Sequence, residues 1–131
     1  MRYPVAIEIG SAEQAFGVVV PDLPGCFSAG DSLDEAMLNA EEAAAAWIDA
    51  ALDEGDPIPS PSLLDAVRDD PRFAGWSFGV ANVGDEILDN EPARVNLSLP
   101  RRVLARLDAQ AKAAGKTRSG YIAEMTLRAL P

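Results

Sequence analysis

Residues 15–48 read AFGVVVPDLPGCFSAGDSLDEAMLNAEEAAAAWI, and this stretch decides the fold of the first part of the chain. The β-rich run at 15–20 is stopped by the segment PDLPG (residues 21–25). Two prolines and a glycine in five residues cannot continue a β-ladder, so this segment predicts a shaped turn. Residues 26–30 then predict another short strand.

The helix that follows is predicted to be long and amphipathic. Ser32 and Glu35 have the spacing of a capping box, which marks a helix start, and the helix is expected to end near Gly55. Apolar residues recur along it at helical spacing and predict a face that packs on a sheet: Ala36, Met37, Ala40, Ala43, Ala44, Trp47, Ile48 and Ala51.

The segments on either side complete one module. Partial alternation at 3–9 predicts a strand, and the proline-rich run at 56–62 predicts a stiff extended connector. A short helix is expected at 63–68 and another strand at 76–83. Residues 1–83 therefore form an α+β module, a three-to-four-stranded sheet backed by a long helix. Residues 84–92 are acidic, end in proline and are interpreted as a linker.

Residues 93–131 carry a different pattern. RVNLSLP (residues 94–100) alternates polar and apolar residues, so Val95, Leu97 and Leu99 are expected on one face of a strand. Pro100 stops this strand and suits the first turn of a helix. Apolar residues then recur at helical spacing up to a glycine that can end the helix: Val103, Leu104, Leu107, Ala111, Ala114 and Gly115.

A second helix is predicted after the capping residue Thr117, with Tyr121, Ile122, Met125 and Leu130 on its buried face. One strand and two helices in about 40 residues cannot build a core of their own, and a lone strand has no ladder partner. We therefore expect this segment to form a homodimer by pairing its strand antiparallel with that of a second copy. Further assembly into a higher oligomer is left open.

Composition excludes several chemistries. The 131 residues include no histidine, which excludes Ser–His and Cys–His nucleophile pairs and imidazole zinc sites. Cys26 is the single cysteine; it excludes an internal disulfide, fits a reducing compartment and is expected to be a small buried residue. No apolar run reaches the length of a membrane span, about 18 residues. We expect a cytoplasmic protein that is not an enzyme and that needs no metal or cofactor.

Charge divides the chain at the same place as the hydropathy pattern. Residues 1–92 carry nineteen acidic residues against three basic ones, whereas residues 93–131 carry eight basic residues against two acidic ones. Such asymmetry suggests that one end meets a polyanion and the other a basic partner. The alternative is a solvated acidic surface beside a chance basic tail.

Two known families resemble these patterns. RVNLSLP, an amphipathic helix, GKTRS and a second helix resemble the ribbon-helix-helix family of bacterial repressors. PDLPGC, a Gly-Asp-Ser turn and a long helix with a D-E-A start resemble the HicB antitoxin family. This resemblance implies a partial RNase H-like module at 1–83 that masks a small basic RNA-cleaving toxin of the HicA type. It also implies a ribbon-helix-helix dimer at 93–131 that binds operator DNA of its own operon.

The ribbon suggests which residues would contact DNA. A two-stranded antiparallel ribbon fits the major groove, and if the apolar residues face inward, Arg94, Asn96 and Ser98 face outward. These three match the base-reading positions of the ribbon-helix-helix family. Four further residues lie where the amides of a helix start can hold a backbone phosphate, with simple capping as the alternative: Lys116, Thr117, Arg118 and Ser119.

The toxin-facing surface is expected where acidic residues cluster at one end of the sheet: Asp22, Asp31, Asp34 and Glu35. Acids along the long helix could serve equally: Glu42, Asp49 and Asp53. Two other functions stay open. One is an orphan repressor whose first module senses a small ligand. The other is a metal-dependent nuclease of RNase H type, which needs carboxylates that converge from several elements.

Overall fold

The computed structural model describes residues 1–130 and divides them into two compact units, Met1–Asn90 and a second that begins at Glu91. The first contains strands β1 (Arg2–Glu8), β2 (Phe16–Val19), β3 (Phe27–Gly30) and β4 (Ser77–Asn82), and helices α1 (Leu33–Glu54) and α2 (Leu64–Arg68). Short 3-10 helices span Pro71–Phe73 and Asp85–Leu88. The predicted α+β class is confirmed. None of the helices in these residues is long and apolar enough to cross a membrane.

The sheet has the order β3-β2-β1-β4, and every neighbouring pair is antiparallel. β1 lies inside the sheet, and successive side chains of a strand point to opposite faces. Tyr3, Val5 and Ile7 belong to the larger core cluster together with the buried residues of α1. Ala6 points the other way, into a smaller cluster with Val67 of α2. Helices therefore cover parts of both faces of the sheet.

α1 begins and ends where the sequence predicts. The Ser32 side chain accepts a hydrogen bond from the Glu35 amide at 3.1 Å, and Gly55 ends the helix with a φ of 73°. Glycine suits that position because a left-handed conformation costs it no side-chain clash. Five residues of the predicted stripe are buried along the helix: Ala36, Ala40, Ala44, Ile48 and Ala51. The alanines bring the helix close to the sheet.

The second face is covered by an aromatic cluster. Phe73 is buried, and its ring centroid lies 5.2 Å from that of Trp76 in a tilted arrangement. Val67 and Phe78 pack in the same cluster. Trp76 is thus part of the packing of this face, as Trp47 is part of the packing around α1.

The expected linker at 84–92 is shorter than predicted. Its 3-10 helix, Asp85–Leu88, belongs to the first unit, and Ile87 packs against the larger core cluster. The contact of Ile87 with the core cluster holds this acidic segment on the module. The division between the units falls after Asn90.

The second unit contains helices α3 (Arg101–Ala113) and α4 (Arg118–Ala129). Gly115 has a φ of 69°, and Thr117 caps α4 by accepting from the Gly120 amide at 3.1 Å, as predicted. The strand expected at 94–99 is not formed. A β-ladder needs a hydrogen-bonded partner, and no segment within residues 1–130 pairs with this one.

Gly30 offers a direct test of the contact between α1 and the sheet. A Cβ there would lie 2.5 Å from the Ala36 backbone nitrogen, so Gly30→Ala must displace the start of α1. We expect a loss of about 1–3 kcal/mol in the free energy of unfolding, measured by urea denaturation. Gly17→Ala is the control, because the nearest atom to its new Cβ would be the Glu8 Cβ at 3.7 Å, an ordinary contact. Equal losses for both variants would contradict this account.

Candidate functional site

The PDLPG turn (residues 21–25) is closed by its own backbone. The Leu23 amide donates to the Val20 carbonyl at 3.1 Å, and the Cys26 amide donates to the Leu23 carbonyl at 2.9 Å. Leu23 is fully buried, and Gly25 adopts a φ of 80°, which glycine accepts readily. The turn is therefore a fixed structure anchored in the core by one leucine.

Two other elements hold this turn from outside. The Trp47 indole of α1 donates to the Pro24 carbonyl at 3.0 Å. The Asp22 carboxylate accepts from both the amide and the hydroxyl of Ser62, at 2.8 and 2.6 Å. Asp22 thus joins the turn to the proline-rich connector. A carboxylate held in this way has a structural role that the sequence pattern did not suggest.

The connector is also fixed by Tyr3. Its hydroxyl donates to the Pro59 carbonyl at 2.6 Å, and its side chain is fully buried. Burial, and secondarily the nearby negative charge of Asp22, raise the pKa of Tyr3 above its ordinary value. The phenol therefore stays protonated and keeps donating at neutral pH.

Cys26 follows the turn and is buried, as predicted. Burial raises the pKa of its thiol, so the reactive thiolate is disfavoured. The residue behaves as a small core side chain.

The expectation that four acids cluster at one end of the sheet is wrong. In the β2–β3 hairpin Val19 pairs with Phe27 and Phe16 pairs with Gly30. Asp22 lies in the turn at the Val19 end, whereas Asp31 follows Gly30 at the opposite end. Asp22 precedes β3 and Asp31 follows it, so the length of this strand separates the two carboxylates. Asp34 and Glu35 accompany Asp31 at the start of α1.

Glu13 joins that acidic group, which sequence reasoning missed. Asp31 and Glu13 line one polar depression together with other residues of the β1–β2 turn. The Asp31 amide donates to a Glu35 carboxylate oxygen at 3.2 Å. The hairpin register was the missing signal, because it brings the β1–β2 turn beside the end of β3. We call this group, Glu13, Asp31, Asp34 and Glu35, the acidic end.

Within residues 1–130, no three side chains of the types that bind metal ions come together in a group that could hold one. The separation of Asp22 from the acidic end is one reason. The carboxylates that a nuclease site would need are therefore not brought together.

The second unit buries little apolar surface. Among its described residues only Ala111 is buried, and large apolar side chains remain exposed, including Val95 at 81% and Leu97 at 67%. An open apolar groove runs between the 94–99 segment and the two helices. It is lined mainly by Leu97, Leu99, Val103, Leu107, Tyr121, Ile122 and Met125. Val95 and Leu97 line an adjoining depression with Ile122.

The residues expected to contact DNA fall into two groups. Arg94, Asn96 and Ser98 are all exposed. Arg118, however, forms a two-pronged ion pair with Asp108 of α3, at 2.8 and 2.9 Å. This hydrogen-bonded pair holds the pKa of Asp108 below its ordinary value.

Lys116 is also paired. Its ammonium contacts the Glu124 carboxylate of α4, which Arg128 contacts as well. Thr117 caps α4, and Ser119 is exposed. The two cations expected to hold phosphate, Lys116 and Arg118, thus contact carboxylates of their own unit, which their spacing in sequence does not predict.

Comparison with known families shows which family contains a chain with these two units. A family model described as the HicB-like antitoxin of bacterial toxin–antitoxin systems matches residues 3–126. This match spans both units and places the protein in the class of bacterial antitoxins. The chain belongs to the HicB-like antitoxin family, as its sequence motifs predicted.

Individual relatives agree. A 14.9 kDa protein from the rep–hol intergenic region of Haemophilus phage HP1 is 35% identical over 82% of this chain and 80% of its own length. The crystal structure of Burkholderia pseudomallei antitoxin HicB is 32% identical, covers 100% of this chain and 99% of that one, and superposes with a TM-score of 0.63. A chain of the HicA3–HicB3 toxin–antitoxin complex is 37% identical over 64% of this chain and 99% of its own, with a TM-score of 0.55.

Asp22 and Ser62 are expected to stabilise the protein through one shared contact. Ser62→Ala should lower the free energy of unfolding by about 1 kcal/mol, because it removes a hydrogen bond to a charged group. In an Asp22→Ala background the same change should cost much less, as urea denaturation of all four proteins would measure. Asp56→Ala, in the same connector, is the control. Strictly additive losses would exclude the contact.

Proposed function

We propose that this protein is an antitoxin that neutralises a small basic RNA-cleaving toxin of the HicA type through its first unit, a partial RNase H-like module. We further propose that it represses its own operon by binding operator DNA through a ribbon-helix-helix homodimer of the second unit. Membership of the HicB-like family supports the antitoxin role. The two activities divide between the two units as the charges do.

The uncovered groove of the second unit carries the second proposal. A unit of this size whose apolar side chains line an open groove, with Ala111 alone buried among its described residues, is not stable by itself in water. A second copy can cover the groove if the two 94–99 segments pair antiparallel, since Val95, Leu97 and Leu99 then face both pairs of helices. Pairing also satisfies the backbone groups of each strand.

Such a ribbon presents its other face outward. Arg94 can donate two hydrogen bonds to a guanine, Asn96 can bridge an adenine, and Ser98 can donate or accept. The excess of basic over acidic residues at 93–131 favours binding to a polyanion such as DNA. These three residues are therefore assigned to base reading.

The start of α4 and the residues just before it are assigned to the phosphate backbone. Thr117 and Ser119 lie at this helix start, where backbone amides can bind phosphates. Lys116 and Arg118 add positive charge, but each already contacts a carboxylate, Glu124 and Asp108 respectively. We therefore expect their contacts with phosphate to be made in competition with these ion pairs.

Toxin binding is assigned to the acidic surface of the first unit. The similar chain of the HicA3–HicB3 complex supports a partner of this kind. A protein that holds RNA needs basic groups, and opposite charge on the two partners speeds their encounter. We assign the acidic end, with Asp31, Asp34 and Glu35 at its centre. Asp22 is left out of this surface because Ser62 occupies its carboxylate.

Asn96→Ala is expected to weaken binding to operator DNA by about 1–3 kcal/mol while binding to random DNA changes little, because a base contact is lost. The measurement is a titration of both DNAs by fluorescence anisotropy at one fixed salt concentration. Asn90→Ala removes the same side chain outside the ribbon and should change neither affinity. An equal loss on both DNAs would remove Asn96 from base reading.

Neutralising the acidic end should slow association with the toxin. In the triple variant Asp31→Asn, Asp34→Asn, Glu35→Gln, we expect a lower association rate at low salt and a flatter dependence of that rate on salt. Stopped-flow mixing measures both. The control, Asp49→Asn, Asp53→Asn, Glu54→Gln, removes the same charge from the end of α1. If both triple variants slow association equally, the acidic end is not the facing surface.

A further inference from the structure

Both acidic residues in the last part of the chain contact cations next to the start of α4. Residues 93–131 contain eight basic residues and two acidic ones, Asp108 and Glu124. Asp108 of α3 pairs with Arg118, and Glu124 of α4 pairs with Lys116. These two cations lie on either side of the residue that caps α4, where a DNA phosphate is assigned above. Each carboxylate therefore occupies a cation that a phosphate would attract.

The contact between Arg118 and Asp108 is made by two hydrogen bonds. Nε and Nη2 of Arg118 donate to different oxygens of Asp108, at 2.8 and 2.9 Å. A planar guanidinium is well suited to hold a carboxylate in this two-pronged way. Within residues 1–130 no other cation pairs with Asp108. The carboxylate would therefore lose its ion-pair partner, and α3 its link to α4, if Arg118 turned to a phosphate.

Glu124, in contrast, is held by two cations, one on each carboxylate oxygen. Lys116 contacts Oε2, which is shielded from solvent, and Arg128 contacts Oε1. Arg128 follows Glu124 by four residues, so this second contact is made within α4 itself. Helix side chains lean toward the N-terminus of the helix, which lets Glu124 reach back to Lys116. The Lys116 side chain is thus directed along α4 toward its middle and away from a phosphate at its start.

We propose, on the basis of the operator binding proposed above, that Lys116 exchanges Glu124 for a phosphate when DNA binds, whereas Arg118 keeps Asp108. Lys116 has a flexible stem and contacts one oxygen, and Glu124 retains Arg128 after Lys116 leaves. The competition between carboxylates and phosphates is therefore unequal at the two cations. Glu124 is a positioning residue that weakens binding to DNA of any sequence, because phosphate contacts carry no sequence information.

The salt dependence of DNA affinity distinguishes a cation that contacts phosphate from one that does not. Fluorescence anisotropy of random-sequence duplex DNA with the full-length protein, at several salt concentrations, gives the slope of log affinity against log salt. Each phosphate contact adds about 0.9 to this slope, so Lys116→Gln, Glu124→Gln should make it shallower by about two for a dimer. Arg118→Gln, Asp108→Asn is the matched control and should leave the slope unchanged. Both double variants preserve the net charge.

The single variant Glu124→Gln provides a second test. It should bind random and operator DNA more tightly by the same factor, between about fourfold and twenty-fivefold for a dimer, since each exposed ion pair is worth a factor of about two to five. In a Lys116→Gln background the same change should alter the affinity by less than about twofold, because no lysine remains to be released. A gain of equal size in that background would come from the lost negative charge alone and would overturn the exchange.

The slopes of the three proteins decide between the alternatives. A shallower slope for the Lys116–Glu124 double variant alone supports the exchange. No reduction in that variant, or a reduction at least as large in the control, overturns the exchange, while DNA binding by wild type still supports the proposed function. If wild type binds neither DNA at low salt, the proposed function fails and the exchange with it. If circular dichroism shows that a double variant does not fold, the slopes of Lys116→Gln and Arg118→Gln are compared, with the same expected difference.

Discussion

The close approach of α1 to the sheet is the contact on which the first unit depends. Ala36, Ala40 and Ala44 are fully buried where the helix meets the strands, and Gly30 has no room for a Cβ beside the Ala36 nitrogen. Larger side chains at these positions would lift the helix. Trp47 could then no longer reach the Pro24 carbonyl, and the turn that carries Asp22 would lose its support. The turn, the connector and the sheet are thus held by one line of small residues.

The second unit, unlike the first, has no buried core of comparable size. Thr117 caps α4 and the Arg118–Asp108 ion pair joins it to α3, yet the apolar side chains of this unit line an open groove. Exposed ion pairs such as Arg118–Asp108 contribute little to stability, because water competes for both charges. Local contacts such as this ion pair therefore orient α3 and α4 relative to each other. The stability of the unit must come from whatever covers the groove.

Sequence alone predicted the features that depend on local signals. The caps at Ser32 and Thr117, the left-handed glycines 55 and 115, and the buried face of α1 all follow from neighbours a few residues apart. What failed depends on partners distant in sequence. The hairpin register separates Asp22 from Asp31. The pairing of the 94–99 segment stays a prediction, because it needs a second copy of the chain. The Ser62 contact and the Lys116 and Arg118 ion pairs were missed for the same reason. Arg94, Asn96 and Ser98 are exposed, and their role in base reading stays a proposal.

Because the second unit buries so little apolar surface, its folding should depend on how much of the protein the cell makes. When folding of a segment requires association, its folded fraction rises with protein concentration. A unit with a buried core of its own, such as the first unit, does not need a second copy for its core. At low protein concentration, newly synthesised chains would then have a folded first unit and an incompletely folded second unit. An activity that resides in the first unit scales linearly with expression. An activity that resides in the second unit would rise more steeply with expression. The two activities would therefore become significant at different concentrations of the same protein.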